Sequence, residues 1–267
     1  MPAANLQSTL TQVAMNCKVC GGLSIPFDRA LVLEKHNVQY FRCEHCGFIQ
    51  TEEPYWLQEA YSSAIARQDV GIMFRNSTNC AVTSAVLNLL MPEISDAVDF
   101  GGGHGVFVRM MRDRGFNFFW SDRYATNDYA RGFEAPEGKT FSFLTAFEVL
   151  EHLVDPLAEL SKLMDMSENV FVSTGLVPKP APRISDWWYF GPSSGQHLSF
   201  YTEESLRILA DHFGRHVLSS NSYHLLSKRP KSRFLFQLAT KPHGARIANA
   251  FFRRPSLIES DLKMMVG

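Results

Sequence analysis

The sequence predicts an α/β fold with a mostly parallel sheet, helices on both faces and a small N-terminal zinc ribbon. Three observations support this prediction. Short apolar runs alternate with stretches of helical periodicity between residues 97 and 174, a pattern typical of strands joined by crossover helices. A glycine-rich loop follows the first of these runs, and two C-x-x-C pairs lie near the N-terminus.

The composition is that of a folded protein without a strong charge bias. A chain of 267 residues accommodates one full domain and a small appendage, and 45% hydrophobic residues suffice to bury a core. The 26 Lys and Arg residues nearly balance the 27 Asp and Glu residues, which gives a net charge of −1. A globally basic nucleic-acid-binding protein is therefore disfavoured.

Two absences in the sequence bear on location. No apolar run approaches the roughly 18 residues that a membrane span needs. The first 16 residues lack a basic side chain and are rich in Asn, Gln and Thr, which is unlike a secretory signal. We therefore expect a cytoplasmic protein without a membrane span, in which residues 1–15 form a flexible leader.

Four of the five cysteines form two C-x-x-C pairs, Cys17 with Cys20 and Cys43 with Cys46, and glycine follows each pair at once. Such a turn can place two thiolates on one metal ion, and two turns supply the tetrahedron of a closed structural zinc site. We therefore predict a zinc ribbon over residues 16–50. Two disulfides are the alternative, which the absence of an export signal disfavours.

The remaining elements follow in order along the chain. Residues 51–66 predict a short helical connector, and residues 76–91 predict a helix that contains a buried thiol, Cys80, and ends at Pro92. Beyond it, the pattern predicts strands over 97–100, 116–121, 141–147 and 169–174, and helices over 106–114 and 155–164. Residues 228–267 are set apart as a basic C-terminal extension, since their first 27 positions hold eight basic and no acidic residues.

The loop in VDFGGGHGVF lies between a predicted strand and a predicted helix. Gly101, Gly103 and Gly105 allow a tight turn and the close approach of a ligand at the carboxyl end of the sheet. Their spacing is neither that of the dinucleotide motif nor that of a P-loop. Asp99 ends this strand and Asp122 the next, where a carboxylate can accept hydrogen bonds from the ribose hydroxyls of an adenosine ligand. A tight turn with a surface acid is the alternative.

Four runs of the sequence, taken in order, resemble class I S-adenosylmethionine-dependent methyltransferases: VDFGGGHGVFVRMM, FWSDRY, FSFLTAFEVLEHLVDP and NVFVSTGLVP. The resemblance covers roughly residues 67–225. It implies a Rossmann-like, seven-stranded sheet with an antiparallel final strand, in a domain over residues 51–227. It also implies S-adenosylmethionine as the cofactor.

The resemblance further implies a set of cofactor contacts. The three glycines would wrap the methionine part of the cofactor and Asp122 would hold its ribose, while Phe147 and Glu148 match the stretch that lines the cofactor and acceptor pocket. Arg75 can pair with the cofactor carboxylate, although a solvated helix start is an equal alternative. The predicted cofactor-binding residues are thus Arg75, Asp99, Gly101, Gly103, Gly105, Asp122, Phe147 and Glu148. Only 18 residues separate Asp122 from Phe141, so the strand that carries the adenine contact is short or replaced by a loop, and no adenine-binding residue is assigned.

Two histidines are the predicted catalytic residues. His152 follows the strand over 141–147 and can act as a base at neutral pH, with loop capping as the alternative. His197 lies in a loop over residues 187–201 that begins with four consecutive aromatic residues. Aromatic faces beside hydrogen-bonding groups suit a sugar or a flat aromatic acceptor, with core packing as the alternative. A similar His-aromatic patch borders the acceptor in related sugar methyltransferases, including C-methyltransferases with an N-terminal zinc-binding segment.

These observations predict an enzyme that methylates a small molecule, with a sugar, nucleotide-sugar or glycan hydroxyl (or carbon) as the leading acceptor. One alternative is a nucleic-acid-directed enzyme or binder that uses the ribbon and the basic extension, but the ribbon is nearly neutral and aromatic residues interrupt the basic run. A non-catalytic assembly module is disfavoured because it needs neither the glycine loop nor Asp122. The acceptor atom, the identity of the base and the oligomeric state are left open.

Overall fold

The computed structural model describes residues 14–61 and 70–266. Residues 1–13 of the predicted leader and residues 62–66 of the predicted connector lie outside the described part. The strands are β1 Met15–Asn16, β2 Leu23–Val32, β3 His36–Cys43, β4 Ile49–Thr51, β5 Ala97–Phe100, β6 Phe118–Ser121, β7 Phe143–Phe147, β8 Asn169–Ser173, β9 Ser199–Phe200, β10 His216–Ser220 and β11 Tyr223–Ser227. The helices are α1 Leu57–Ala60, α2 Ile72–Leu90, α3 Val106–Asp113, α4 Pro156–Met166, α5 Glu203–His212, α6 Arg233–Thr240, α7 Pro242–Phe251 and α8 Ile258–Val266.

The larger sheet has six strands in the order β10-β11-β8-β7-β5-β6. Strands β5, β6, β7 and β8 are parallel, whereas β11 is antiparallel to both β8 and β10. The predicted α/β fold with a mostly parallel sheet is confirmed. The elements predicted from residue 76 to residue 174 all occur, with bounds that differ from the predicted ones by at most four residues.

The sheet of the described residues differs from the implied one in having six strands instead of seven. Next to β6, Glu134 makes only an isolated parallel bridge with Trp120. The segment between β6 and β7 is too short for both a crossover helix and a further strand. It folds as a loop, in which the Asn127 side-chain amide donates a 2.6 Å hydrogen bond to Glu134.

Helices cover both faces of this sheet because successive strand residues point to opposite sides. Leu144 of β7 packs with Leu160 of α4 and Leu206 of α5. Its neighbour Phe143 packs on the other face with residues of α2, α3 and α7 and with Phe236 of α6. Helices α6 and α7, which lie in the basic extension, therefore form part of the main core. Within residues 14–61 and 70–266, none of the helices has the length and apolar content of a membrane span.

The cysteine-rich segment forms a second, antiparallel sheet with the order β1-β2-β3-β4-β9. Its fifth strand comes from a distant part of the chain, since Ile49 of β4 pairs with Phe200 of β9. Two further bonds reach the loop that precedes β9. The Leu33 amide of the ribbon donates to the Pro192 carbonyl, and the Trp56 indole of the connector donates to the Gly195 carbonyl at 2.9 Å. The ribbon sheet is thus joined to the aromatic loop over residues 187–201.

Candidate active site

The four ribbon cysteines come together as the sequence predicts. The Sγ atoms of Cys17 and Cys46 lie 3.6 Å apart, and those of Cys20 and Cys43 lie 3.4 Å apart. Four sulfurs around one zinc ion are about 3.8 Å apart, given Zn–S bonds of about 2.3 Å. The donor set and its spacing therefore fit a structural zinc ion, which all four thiolates would hold.

The two cysteine turns share one backbone design. Gly21 and Gly47 have φ angles of +72° and +71°, a region that residues with a Cβ avoid. The Cys46 amide donates to Cys43 Sγ at 3.5 Å, and the Val19 amide donates to Cys17 Sγ at 3.4 Å. The turns thus direct N–H groups at the sulfurs, which stabilises thiolates.

The glycine loop joins β5 to the start of α3. Its first and last glycines have no room for a side chain. A Cβ on Gly101 would lie 2.8 Å from Val149 Cγ2, and one on Gly105 would lie 2.5 Å from Asn127 Oδ1. Both also have positive φ. The loop therefore depends on glycine at the positions that the sequence identifies.

The two predicted acids lie beside this loop in different environments. Asp99 is buried and accepts a 2.6 Å hydrogen bond from the Thr145 hydroxyl, and burial raises the pKa of Asp99 to about 7. Asp122 accepts the Gly103 amide at 2.9 Å and the Tyr124 amide at 2.7 Å. Asp122 thus fixes the conformation of the glycine loop, and its contact with ribose stays a prediction.

A cleft of about 120 Å³ opens at the carboxyl ends of β5 and β7. Six of the eight residues predicted to bind the cofactor line this cleft: Arg75, Asp99, Gly101, Gly103, Phe147 and Glu148. Of the other two, Gly105 ends the glycine loop at the start of α3, and Asp122 accepts a hydrogen bond from the loop. The sequence therefore identified residues that the fold brings together.

Glu148 directly follows β7 and has a left-handed backbone, with φ +53°. Its amide and its Oε1 both bond to the Ser173 hydroxyl, at 3.0 and 2.7 Å. Burial, together with the charge of Glu151, raises the pKa of Glu148 to about 7, while the Arg75 charge acts in the opposite direction. A carboxyl group that titrates near neutrality thus borders the cleft.

His152 and His197 form a T-shaped pair with ring centroids 4.9 Å apart. His152 Nδ1 lies 3.1 Å from the Gln196 carbonyl, and His197 Nδ1 lies 2.6 Å from the Tyr189 carbonyl. Because a carbonyl oxygen only accepts, each Nδ1 carries the hydrogen and each Nε2 keeps a lone pair. Burial lowers the pKa of His152 to about 3 and also lowers that of His197. Both imidazoles are therefore neutral at physiological pH.

A family model described as a methyltransferase domain matches residues 74–220. The chain belongs to this methyltransferase family. The match spans the glycine loop, most of the cleft lining and both histidines. It confirms the class that the sequence motifs predict, that of the S-adenosylmethionine-dependent methyltransferases.

Several solved structures resemble this methyltransferase. Magnesium protoporphyrin IX methyltransferase from Synechocystis is 14% identical, with a TM-score of 0.41 over 63% of this chain and 90% of that one. An O-methyltransferase family protein from Burkholderia thailandensis is 14% identical, with a TM-score of 0.45 over 64% and 66%. The plantazolicin methyltransferase is 8% identical, with a TM-score of 0.43 over 64% and 90%. Comparison with curated proteins finds no significant match. None of these likenesses bears on the acceptor.

The methyltransferase also contains site residues that sequence reasoning did not single out. Glu151 is fully buried, and its Oε1 accepts a 2.6 Å hydrogen bond from the Tyr189 hydroxyl. Burial raises the pKa of Glu151 and of Tyr189. The Tyr61 hydroxyl lies 3.0 Å from His152 Nδ1, and its ring stacks on Tyr124. The feature of the sequence that could have indicated Glu151 is the run FEVLEH, in which a second glutamate directly precedes His152.

Proposed function

We propose that this protein transfers the methyl group of S-adenosylmethionine to a small molecule, and that the acceptor is a sugar, nucleotide-sugar or glycan that reacts at a hydroxyl or carbon. The observation that carries the proposal is the continuity of two sites along one loop. Glu148 borders the glycine-loop cleft, and four residues later His152 faces His197. A cofactor site and a pair of proton-accepting groups therefore lie side by side.

The cofactor half of the proposal rests on the cleft. Gly101 and Gly103 would hold the methionine part, Asp122 the ribose and Arg75 the carboxylate. The cofactor supplies a methyl group on a positively charged sulfur, which becomes a neutral thioether after transfer. The carboxyl groups of Asp99 and Glu148 line the cleft, so their ionised forms would favour that positive charge.

The chemical role of the histidine pair follows from its tautomers. An Nε2 lone pair can accept the proton of an acceptor hydroxyl, whose oxygen then attacks the methyl carbon as the methyl–sulfur bond breaks. His197 is the better candidate base, because burial lowers the pKa of His152 to about 3. Holding the reacting groups in line supplies most of the remaining rate enhancement in such a displacement. For a carbon acceptor, the same lone pairs would remove the proton next to an enolisable group.

The aromatic surroundings support a sugar acceptor. Trp188 of the loop that carries His197 is largely exposed, and Trp187 of the same loop is partly exposed. Tyr61 and Tyr124 form a second stacked pair next to His152. Ring faces beside hydrogen-bonding groups are the surfaces that bind sugars.

The ribbon supports a small-molecule role over a nucleic-acid role. Its sheet is completed by β9, so the ribbon has a structural task in holding the aromatic loop. An intact glycine loop and cleft likewise favour an enzyme over a non-catalytic assembly module.

The test is a calorimetric titration of the folded, zinc-loaded protein with S-adenosylhomocysteine, followed by assays of methyl transfer to nucleotide-sugars. We expect micromolar binding that Asp122→Ala abolishes and that Asp165→Ala, which removes an exposed acid from α4, leaves unchanged. Absence of binding in the wild-type protein would overturn the proposal. Binding without transfer to any sugar would overturn only the acceptor class.

A further inference from the structure

Glu151, His152 and His197 form a cluster of potential ligands apart from the cysteines. One ligand atom from each side chain lies within 4.8 Å of the other two. We propose that these three side chains bind a divalent transition-metal ion at the acceptor side of the cleft. The argument rests on the histidine tautomers, the unpaired carboxylate oxygen and the composition of the donor set.

The two histidines are oriented in the way that metal ligands are. A metal-bound imidazole commonly donates its other ring N–H to a backbone carbonyl, which fixes both tautomer and ring orientation. His152 and His197 both donate Nδ1–H to carbonyls, those of Gln196 and Tyr189. Each Nε2 therefore keeps a lone pair, and no hydrogen-bond partner of either Nε2 is found among the described residues.

Glu151 supplies the negative charge of the site. Its side chain is fully buried, and Oε1 is occupied by the Tyr189 hydroxyl. The other oxygen, Oε2, is buried without a hydrogen-bond partner among residues 14–61 and 70–266. An unpaired buried carboxylate oxygen is unfavourable, and coordination to a cation would satisfy it.

The donor set indicates the kind of ion. Two imidazole nitrogens and one carboxylate oxygen suit zinc, iron(II), cobalt(II), nickel(II) or manganese(II) better than calcium, which prefers oxygen ligands. Three protein ligands also leave coordination positions open. The cysteine cluster is a closed site by contrast, so the two sites would have different tasks.

The consequence for catalysis rests on the proposed function, whereas metal binding itself does not. An acceptor oxygen on an open coordination position would lose its proton more readily, because the charge of the ion lowers the pKa of a bound hydroxyl. The histidines would then be ligands, and the proton would pass to another group. Glu148 lines the cleft three residues before Glu151, and it is the candidate acceptor of that proton.

The experiment measures zinc per chain in the full-length protein after incubation with excess zinc and desalting. We expect about two equivalents in the wild type and in His243→Ala, which removes an exposed histidine of α7. We expect about one equivalent in Glu151→Gln and in His197→Ala. Circular dichroism and S-adenosylhomocysteine titration establish that the variants are folded, and Glu151→Gln retains nearly the shape of the native side chain if His197→Ala does not fold.

One equivalent of zinc in the wild type and in every folded variant would overturn the proposal. In that case, a proton shared with Glu148 would be the partner of Glu151 Oε2. Two equivalents retained in both site variants would also overturn it. A protein that binds two zinc ions but no S-adenosylhomocysteine would refute the proposed function and leave the metal site standing.

Discussion

The hydroxyl of Thr202 donates a 2.6 Å hydrogen bond to the carbonyl oxygen of Cys46. Thr202 is the N-cap of α5, and Cys46 belongs to the cysteine cluster. The contact is reinforced at Leu198, which accepts from the Thr51 amide and donates to the Glu151 carbonyl. The ribbon, the aromatic loop and the loop after β7 are therefore one hydrogen-bonded unit, and the state of the cysteine cluster should affect the histidine pair.

The first prediction concerns zinc. Cys43→Ser should release the ion, lower the melting temperature by more than about 5 °C and reduce turnover at least tenfold, while S-adenosylhomocysteine affinity changes by less than threefold. Turnover and affinity should respond differently because the ribbon sheet holds the loop that carries His197, whereas it contributes no residue to the glycine loop. Scanning calorimetry and titration measure the effects.

The matched control is Cys80→Ala, since Cys80 is buried in α2 and far from the cluster in sequence. It should retain zinc and turnover. Equal loss of cofactor affinity and turnover in Cys43→Ser would show that the ribbon supports the whole domain instead of the acceptor side.

The second prediction concerns His197. His197→Ala should lower turnover by about 10²- to 10⁴-fold, the usual effect of losing assistance to proton transfer, and leave S-adenosylhomocysteine affinity nearly unchanged. The same loss is expected whether His197 takes the acceptor proton itself or holds a metal ion that activates the acceptor. His197 does not line the glycine-loop cleft, and for this reason the two effects should separate. Steady-state kinetics and calorimetry give the two values. A parallel loss of both would place His197 in the cofactor site.

The sequence was sufficient to predict the parts of the site that depend on local spacing. Each C-x-x-C turn, like the glycine loop after a strand, requires a particular backbone conformation. Glycine and cysteine at fixed positions in the sequence therefore indicate that conformation. The same holds for Asp99 and Asp122, because the carboxyl ends of neighbouring parallel strands meet at one edge of a sheet.

The remaining parts of the site depend on how loops pack against one another, and this packing leaves no pattern in the local sequence. Tyr189 reaches Glu151 across 38 residues, and the His152–His197 pair lies in a loop that the ribbon sheet joins through β9. A buried glutamate next to a histidine resembles a surface pair in sequence, so Glu151 was missed. The implied seventh strand is not found among the described residues, because the segment after β6 is too short for a further helix and strand, as the residue count had already indicated.

The third prediction concerns pH. The pKa of Glu148 is raised from 4.5 to about 7, so between these values the folded protein binds a proton that the unfolded chain has lost. The free energy of unfolding should therefore fall as the pH rises from about 4.5 to about 7, by at most about 3 kcal/mol from this group. Glu148→Gln should reduce this slope but not abolish it, because the pKa of buried Asp99 is also raised to about 7. Urea unfolding at about pH 5 and about pH 8 measures the change. Glu137→Gln, which changes an exposed glutamate, should leave the pH dependence of the unfolding free energy as it is. If Glu148→Gln also leaves that dependence unchanged, the raised pKa of Glu148 is refuted.

The fourth prediction separates backbone strain from crowding in the glycine loop. Gly101 and Gly138 both have φ +71°, but a Cβ on Gly101 would lie 2.8 Å from Val149 Cγ2, whereas one on Gly138 has nothing within 4 Å. Gly138→Ala should therefore cost only the left-handed conformation, about 1 kcal/mol, and Gly101→Ala about 2–3 kcal/mol with loss of S-adenosylhomocysteine binding. Urea unfolding and calorimetry measure both variants. If Gly101→Ala binds S-adenosylhomocysteine as tightly as Gly138→Ala does, the loop tolerates a side chain and the cofactor does not approach its backbone at this position.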